Sequence, residues 1–118
     1  KLRDIVESAK RARLNFITFK PGSASAINAV LEVCSHFPAF QFVIQWTGGR
    51  SGGHHSFEDQ YEPLLETYAL IRNSENITLV VGGGLGTAAD AYEWLSGDWS
   101  LRFGRPRMPV DGVLMGSR

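Results

Sequence analysis

The sequence predicts an α/β fold on a parallel sheet, and three observations carry that prediction. After an opening helix, short β-branched or aromatic runs alternate with helical periodicities in the order βαβαβαβ, and alternation of this kind calls for parallel strands joined by right-handed helical crossovers. The runs are almost continuously apolar, which fits strands buried on both faces. Glycine, finally, gathers directly after two of the runs. Eight of the 13 glycines stand at 48, 49, 52 and 53 and at 82, 83, 84 and 86.

The elements follow in order. Leu2, Ile5, Val6 and Ala9 recur at helical spacing among charges, so residues 1–13 read as an amphipathic helix. Phe16-Ile17-Thr18-Phe19 reads as a strand closed by the Pro21-Gly22 turn. Ser23 or Ser25 is placed to cap a helix that carries Ile27, Val30, Leu31 and Cys34 on one face and ends at Pro38. Residues 42–46 form a second strand, followed by a glycine-rich loop from Gly48 to His55. Ser56 and Asp59 have capping-box spacing before a helix bearing Tyr61, Leu64, Leu65, Tyr68, Ala69 and Ile71, in which Pro63 is tolerated only near the first turn. Residues 77–81 form the third strand. Thr87 and Asp90 repeat the capping spacing before a short helix over 88–95, and 113–115 form the fourth strand. Between these last two lies a segment of 17 residues, Ser96 to Gly112, with weak periodicity. A connection that long is usually functional or an insertion.

Composition narrows the function classes. The chain has 118 residues, 43% of them hydrophobic, with 12 basic and 12 acidic side chains. That is globular composition with no net charge, so neither a nucleic-acid partner nor an anionic membrane surface is expected. The longest apolar run, Ile77 and then Leu79–Val81, falls far short of the roughly 20 residues that cross a bilayer. The opening residues lack the charged-then-apolar pattern of a leader. Cys34 is the single cysteine, which excludes an internal disulfide. A cytoplasmic protein is the expectation. Lys1 at the start and Gly116-Ser117-Arg118 at the end suggest a piece of a longer chain, 1–118 forming one partial domain.

Ligands of parallel α/β folds bind at the carboxyl ends of the strands, where the unusual glycines lie. Gly82-Gly83-Gly84-Leu85-Gly86-Thr87 follows the third strand and opens a helix, and Gly116-Ser117-Arg118 follows the fourth. Glycine admits positive φ and close approach of a ligand, and amides at a helix start favour anions. Two adjacent strand ends of this kind make a phosphate cradle. The recurrent phosphate site of (β/α)8 TIM barrels uses the loops after strands seven and eight. Taking the last two strands as seven and eight makes the chain the C-terminal half of such a barrel, and its length agrees with about 250 residues for eight strands. Plain tight turns are the simpler alternative. Gly84-x-Gly86-x-x-Ala89 also satisfies a dinucleotide fingerprint, but the acidic residue required at the end of the next strand is missing: that strand ends in Met115-Gly116, and Asp111 stands before it.

The second cluster is Gly48-Gly49-Arg50-Ser51-Gly52-Gly53-His54-His55-Ser56. Two imidazoles at the top of a buried strand, among glycines, suit proton transfer to a flat ligand. No zinc-type spacing occurs, and Glu58 and Asp59 are explained as first-turn acids, so no metal is expected. Lys20, at the end of the first strand, points to the same rim as a candidate anion contact. Gln45 and Trp46 end the second strand, and Trp46 also suits the core. Cys34 sits on an apolar face and reads as packing. Arg102, Arg105 and Arg107, near Trp99, are either a solvated loop or a surface for a phosphate or an acidic carrier.

The stretch from Gln45 to Asp59 closely resembles the enoyl reductase domain of the fungal-type fatty acid synthase beta subunit. The likeness continues through Phe19-Lys20-Pro21-Gly22-Ser23, the glycines at 82–86, Trp94-Leu95-Ser96-Gly97-Asp98-Trp99-Ser100 and Met108 to Arg118, and so covers nearly the whole chain. Flavin-dependent bacterial enoyl reductases and nitronate monooxygenases share the Gly-Gly-His loop and the paired glycine loops. The resemblance implies a flavin-dependent TIM barrel whose FMN contacts Gly52, Gly53, Gly82, Gly83, Gly84, Gly116, Ser117 and Lys20, with the phosphate on the loops holding Gly83, Gly84, Gly116 and Ser117. It implies NADPH as reductant, a trans-2-enoyl thioester on acyl carrier protein as substrate, the other domains and subunits of the synthase as partners, and His54 as proton donor or carbonyl polariser. His55 has no such warrant. Gly83, where serine is common in this family, and Tyr92-Glu93-Trp94 depart from the pattern, which suits a specialised synthase such as one feeding a polyketide pathway. A nitronate monooxygenase-like oxidase on the same barrel and a structural segment with a decayed site are the alternatives.

Overall fold

A computed structural model of the chain describes residues 1–48, 57–83 and 85–115, with the backbone alone at 57–59. The elements are α1 (Leu2–Arg11), β1 (Phe16–Phe19), α2 (Ala24–Ser35), β2 (Gln41–Trp46), α3 (Phe57–Asn73), β3 (Ile77–Val81), α4 (Ala88–Ser96), a 3₁₀ turn at Asp98–Phe103, and β4 (Gly112–Val113). The predicted alternation holds throughout. Ser23, not Ser25, caps α2, its side chain accepting from the Ala26 amide at 3.1 Å. At α4 both halves of the expected Thr87–Asp90 capping box are present. No helix among the described residues is long and apolar enough to cross a membrane.

The four strands form one parallel sheet in the order β1-β2-β3-β4. Each crossover therefore steps the same way along the sheet. The right-handed rule then puts α2, α3 and α4 on one face, with no reversal point of the doubly wound kind. Burial follows the pleat. Phe42, Ile44 and Trp46 of β2 and Ile77, Leu79 and Val81 of β3 stand opposite one another and are buried on the helix side with Ile27, Val30, Leu64 and Ile71. The opposite face carries Thr18, Val43, Gln45, Thr78 and Val80, none of them buried. Burial on both faces, expected from the apolar runs, is thus found on one face only. The near-continuous apolar reading came from Val43 and Val80, which fill the open face.

Two further expectations change. Pro63 lies well inside α3 because the helix already begins at Phe57, while the Thr67 hydroxyl donates back to the Pro63 carbonyl at 2.8 Å. The segment 96–112 is an ordered plug. Trp99 is buried, donates from Nε1 to the Met108 carbonyl at 2.7 Å, and packs on Trp94 with ring centroids 4.6 Å apart. The Ser100 hydroxyl reaches the carbonyls of Gly97 and Pro106. This segment occupies most of the space read as the approach to the fourth strand, and β4 shortens to two residues.

Candidate functional site at the carboxyl edge of the sheet

A parallel sheet places all four strand ends on one edge, the edge that carries the predicted site residues at 20, 82 and 83. At the end of β1, Lys20 is exposed. It lines, with Leu2, Phe19, Pro21, Ala26, Ala29 and Val30, an open cavity of 240 Å³ bordered by the first two helices. β1 is two strands from β3, about 10 Å at the usual strand spacing, so Lys20 and the β3 glycines belong to separate parts of the edge.

At the end of β2, Trp46 is fully buried and its indole donates to the Gln60 carbonyl at 2.9 Å. It is a core residue that ties β2 to α3. Gln45 is half-buried on the open face, beside Val80. Gly48 has φ +95°. Gly52, Gly53, His54 and His55 lie outside the described residues, as do Gly84, Gly116 and Ser117.

At the end of β3 the chain passes into Gly82 and Gly83. The Gly82 amide donates to the Trp46 carbonyl at 2.8 Å, extending the pairing with β2 by one residue. A Cβ on Gly82 would stand 3.1 Å from that of Leu114, just beyond β4. Gly83 has φ +87°, and a Cβ there would stand 2.9 Å from the Thr47 carbonyl oxygen. Neighbouring protein atoms therefore account for both missing side chains. Val81 and Val113 are in register, so β3 and β4 leave the sheet side by side.

The start of α4 differs from the expectation that its amides face a ligand. The Asp90 carboxylate accepts from the Gly86 and Thr87 amides at 3.1 and 3.3 Å. The Gly86 amide above all, with the Thr87 side chain and amide, holds this carboxyl below its ordinary pKa.

The remaining candidates have partners within the protein. Burial pushes the Cys34 thiol up to about 12, so it is no nucleophile. Arg102 pairs with Glu93 and donates to the Tyr61 hydroxyl, Arg105 donates to the Leu65 carbonyl, and Arg107 pairs with Asp98 at 2.7 Å. These contacts tie the 98–107 segment internally and to α3 and α4. Among the described residues there is no group of three or more His, Cys, Asp or Glu side chains suited to a metal.

One arrangement escaped the sequence reading. Tyr68 and Arg72, one turn apart on α3, reach the segment ahead of β4. The Tyr68 hydroxyl donates to the Pro109 carbonyl at 2.6 Å, and Arg72 pairs with both oxygens of Asp111, at 3.3 and 2.9 Å. Burial alone would raise the Asp111 carboxyl. The hydrogen bonds from Arg72 and the Leu79 amide, with the Arg72 charge, outweigh it and hold the pKa below the usual carboxylate range. The i, i+4 spacing of Tyr68 and Arg72 was the available signal.

A family model described as "Fatty acid synthase subunit beta/Fas1-like, helical" matches residues 41–118. In this structure that span holds β2, β3 and β4 as well as helices. The chain is 54% identical over 105 residues to the fatty acid synthase beta subunit TOXC of Cochliobolus carbonum, covering 89% of this chain and 5% of that one. It is 49% identical over 117 residues to the beta subunit pigK of Monascus ruber, covering 99% and 6%. It is 50% identical over 105 residues to the fatty acid synthase subunit beta of Saccharomyces cerevisiae, covering 89% and 5%. The chain thus spans 5–6% of the length of these curated relatives.

Proposed function

The chain belongs to the fatty acid synthase subunit beta/Fas1-like family, and from that premise we propose that it forms the C-terminal half of an FMN-binding enoyl reductase barrel within a multifunctional synthase. The observation that carries the reading is the side-by-side exit of β3 and β4, β3 directly into Gly82 and β4 through Leu114 and Met115 toward Gly116. The sequential strand order and the uncovered face of Val43, Gln45, Thr78 and Val80 support a half-barrel, because closing a barrel covers that face with the remaining strands.

Placement supports a phosphate at this edge: β3 and β4 end side by side, and the Asp90 carboxylate at the start of α4 already has hydrogen-bond partners at Gly86 and Thr87. Gly83, Gly84, Gly116 and Ser117 would hold the phosphate through backbone amides and one hydroxyl. FMN bound there, with NADPH as reductant, would supply hydride chemistry toward the β-carbon of a trans-2-enoyl thioester carried on acyl carrier protein. Gly52 and Gly53, next to His54 in the sequence, would leave room for a flat ligand. His54 delivers a proton to the α-carbon or polarises the thioester carbonyl. The other domains and subunits of the synthase complete the barrel and bring the carrier.

Turnover by the full-length protein carrying this segment tests the proposal. NADPH oxidation that depends on enoyl thioester, with saturated thioester as product, is expected. Oxygen-dependent consumption of alkyl nitronates, with no response to enoyl thioester, would replace the proposal with the oxidase reading.

A further inference from the structure

β4 is only two residues long, and its start is set by a side chain. The Asp111 amide donates to the Leu79 carbonyl at 2.9 Å, and the Asp111 carboxylate accepts from the Leu79 amide at 2.8 Å. One residue thus takes both backbone groups of Leu79. Where a regular parallel ladder would offer a backbone carbonyl to that amide, a carboxylate stands in, and regular pairing begins at Gly112 opposite Val80. The same carboxylate is gripped by Arg72 through both oxygens, a planar fork that fixes orientation as well as distance. One turn earlier on α3, Tyr68 holds the Pro109 carbonyl, and the Arg72 guanidinium lies 5.3 Å from the centre of the Tyr68 ring. Tyr68 and Arg72 therefore clasp the chain at two points just before β4. Beyond β4 the described chain runs only through Leu114 and Met115 before Gly116 and Ser117.

We infer that the Tyr68–Arg72–Asp111 clasp is a positioning device for flavin binding: it fixes the register and exit direction of β4, and so the place where Leu114 and Met115 leave the sheet beside Gly82. The inference rests on the proposed phosphate site. The clasp touches no ligand. Its effect is transmitted through a two-residue strand with few backbone hydrogen bonds of its own, which makes side-chain control effective.

The test compares Arg72→Met, Arg72→Lys, Asp111→Asn and Tyr68→Phe with wild type in the full-length protein. FMN is titrated into flavin-stripped protein, and amide hydrogen exchange is followed for residues 112–118 and, as an internal reference, 41–46. Arg72→Met and Asp111→Asn are expected to weaken FMN binding about tenfold and to speed exchange at 112–118, while 41–46 stays protected. Arg72→Lys, which keeps the charge, should recover part of the affinity, and Tyr68→Phe, which loses a single hydroxyl, should show the smallest effect. Faster exchange at 112–118 with unchanged FMN affinity would overturn the inference, as would loss of protection across 41–46 in every variant. Absence of FMN binding by wild type is read before any variant and would remove the proposed function together with the inference.

Discussion

The Thr47 carbonyl oxygen occupies the space that a side chain on Gly83 would need: a Cβ there would lie 2.9 Å away, on a residue whose φ is +87°. The contact joins the ends of β2 and β3 at the edge where the site is proposed. Glycine is required at this position by two separate physical constraints, backbone conformation and contact with backbone atoms that cannot swing aside.

Gly83→Ala should therefore be destabilising whether or not flavin is present, by roughly 1–3 kcal/mol. Gly22 is the control, because a Cβ added there meets nothing within 4 Å and its φ is not positive. Hydrogen exchange of residues 77–83 in the flavin-stripped full-length protein should speed up for Gly83→Ala and remain unchanged for Gly22→Ala. Equal exchange in the two variants would mean that the Thr47 contact is not made.

Trp99 anchors the 96–112 plug through buried contacts and its bond to Met108. Trp99→Ala should cost roughly 3–5 kcal/mol, the range for removing a buried aromatic side chain. Limited proteolysis of the full-length protein should then show new cleavage within 98–110. An unchanged digestion pattern would show that Trp94, Tyr61 and Phe103 hold the plug without it.

Cys34 should stay a thiol at neutral and mildly alkaline pH, since burial raises its pKa to about 12. Thiolate is the reactive form. At pH 8 the peptide containing Cys34 should resist alkylation in the native protein and react after denaturation, as read by mass spectrometry. Rapid native alkylation would contradict its place in the core.

The alternating architecture was legible because each signal was local. Ser23 before an apolar helix, the Thr87–Asp90 spacing and the β-branched runs at 16–19 and 77–81 state their structures within a few residues. The 96–112 plug was not legible: its order comes from the Trp99–Met108 bond and from ring contacts with Trp94 and Tyr61, contacts that no periodicity announces. The two faces of the sheet were misjudged for a related reason. Val43 and Val80 have the composition of a buried strand, and only the position of the helices shows that their side is uncovered. At the site, glycine clustering pointed to the carboxyl edge of the sheet, where Gly82 and Gly83 stand. It could not distinguish a glycine that admits a ligand from one that admits Thr47, nor reveal that Asp90 takes the first amides of α4.

The loop histidines give a contrast between neighbours. His54→Ala should leave FMN binding and NADPH consumption intact and slow the half-reaction with enoyl thioester by roughly 10²–10⁴-fold, the usual contribution of a positioned general acid. His55→Ala should be milder. Stopped-flow measurement of the two half-reactions separates them, and a larger loss at His55 would exchange their roles.

The most direct test of the central claim is an anaerobic single turnover of the full-length protein, followed by its visible absorbance. Bound FMN should give a flavin spectrum that NADPH bleaches and that one equivalent of trans-2-enoyl thioester restores, with release of the saturated thioester. A protein with no flavin spectrum would contradict the account. So would one whose bleached spectrum returns with oxygen but not with enoyl thioester.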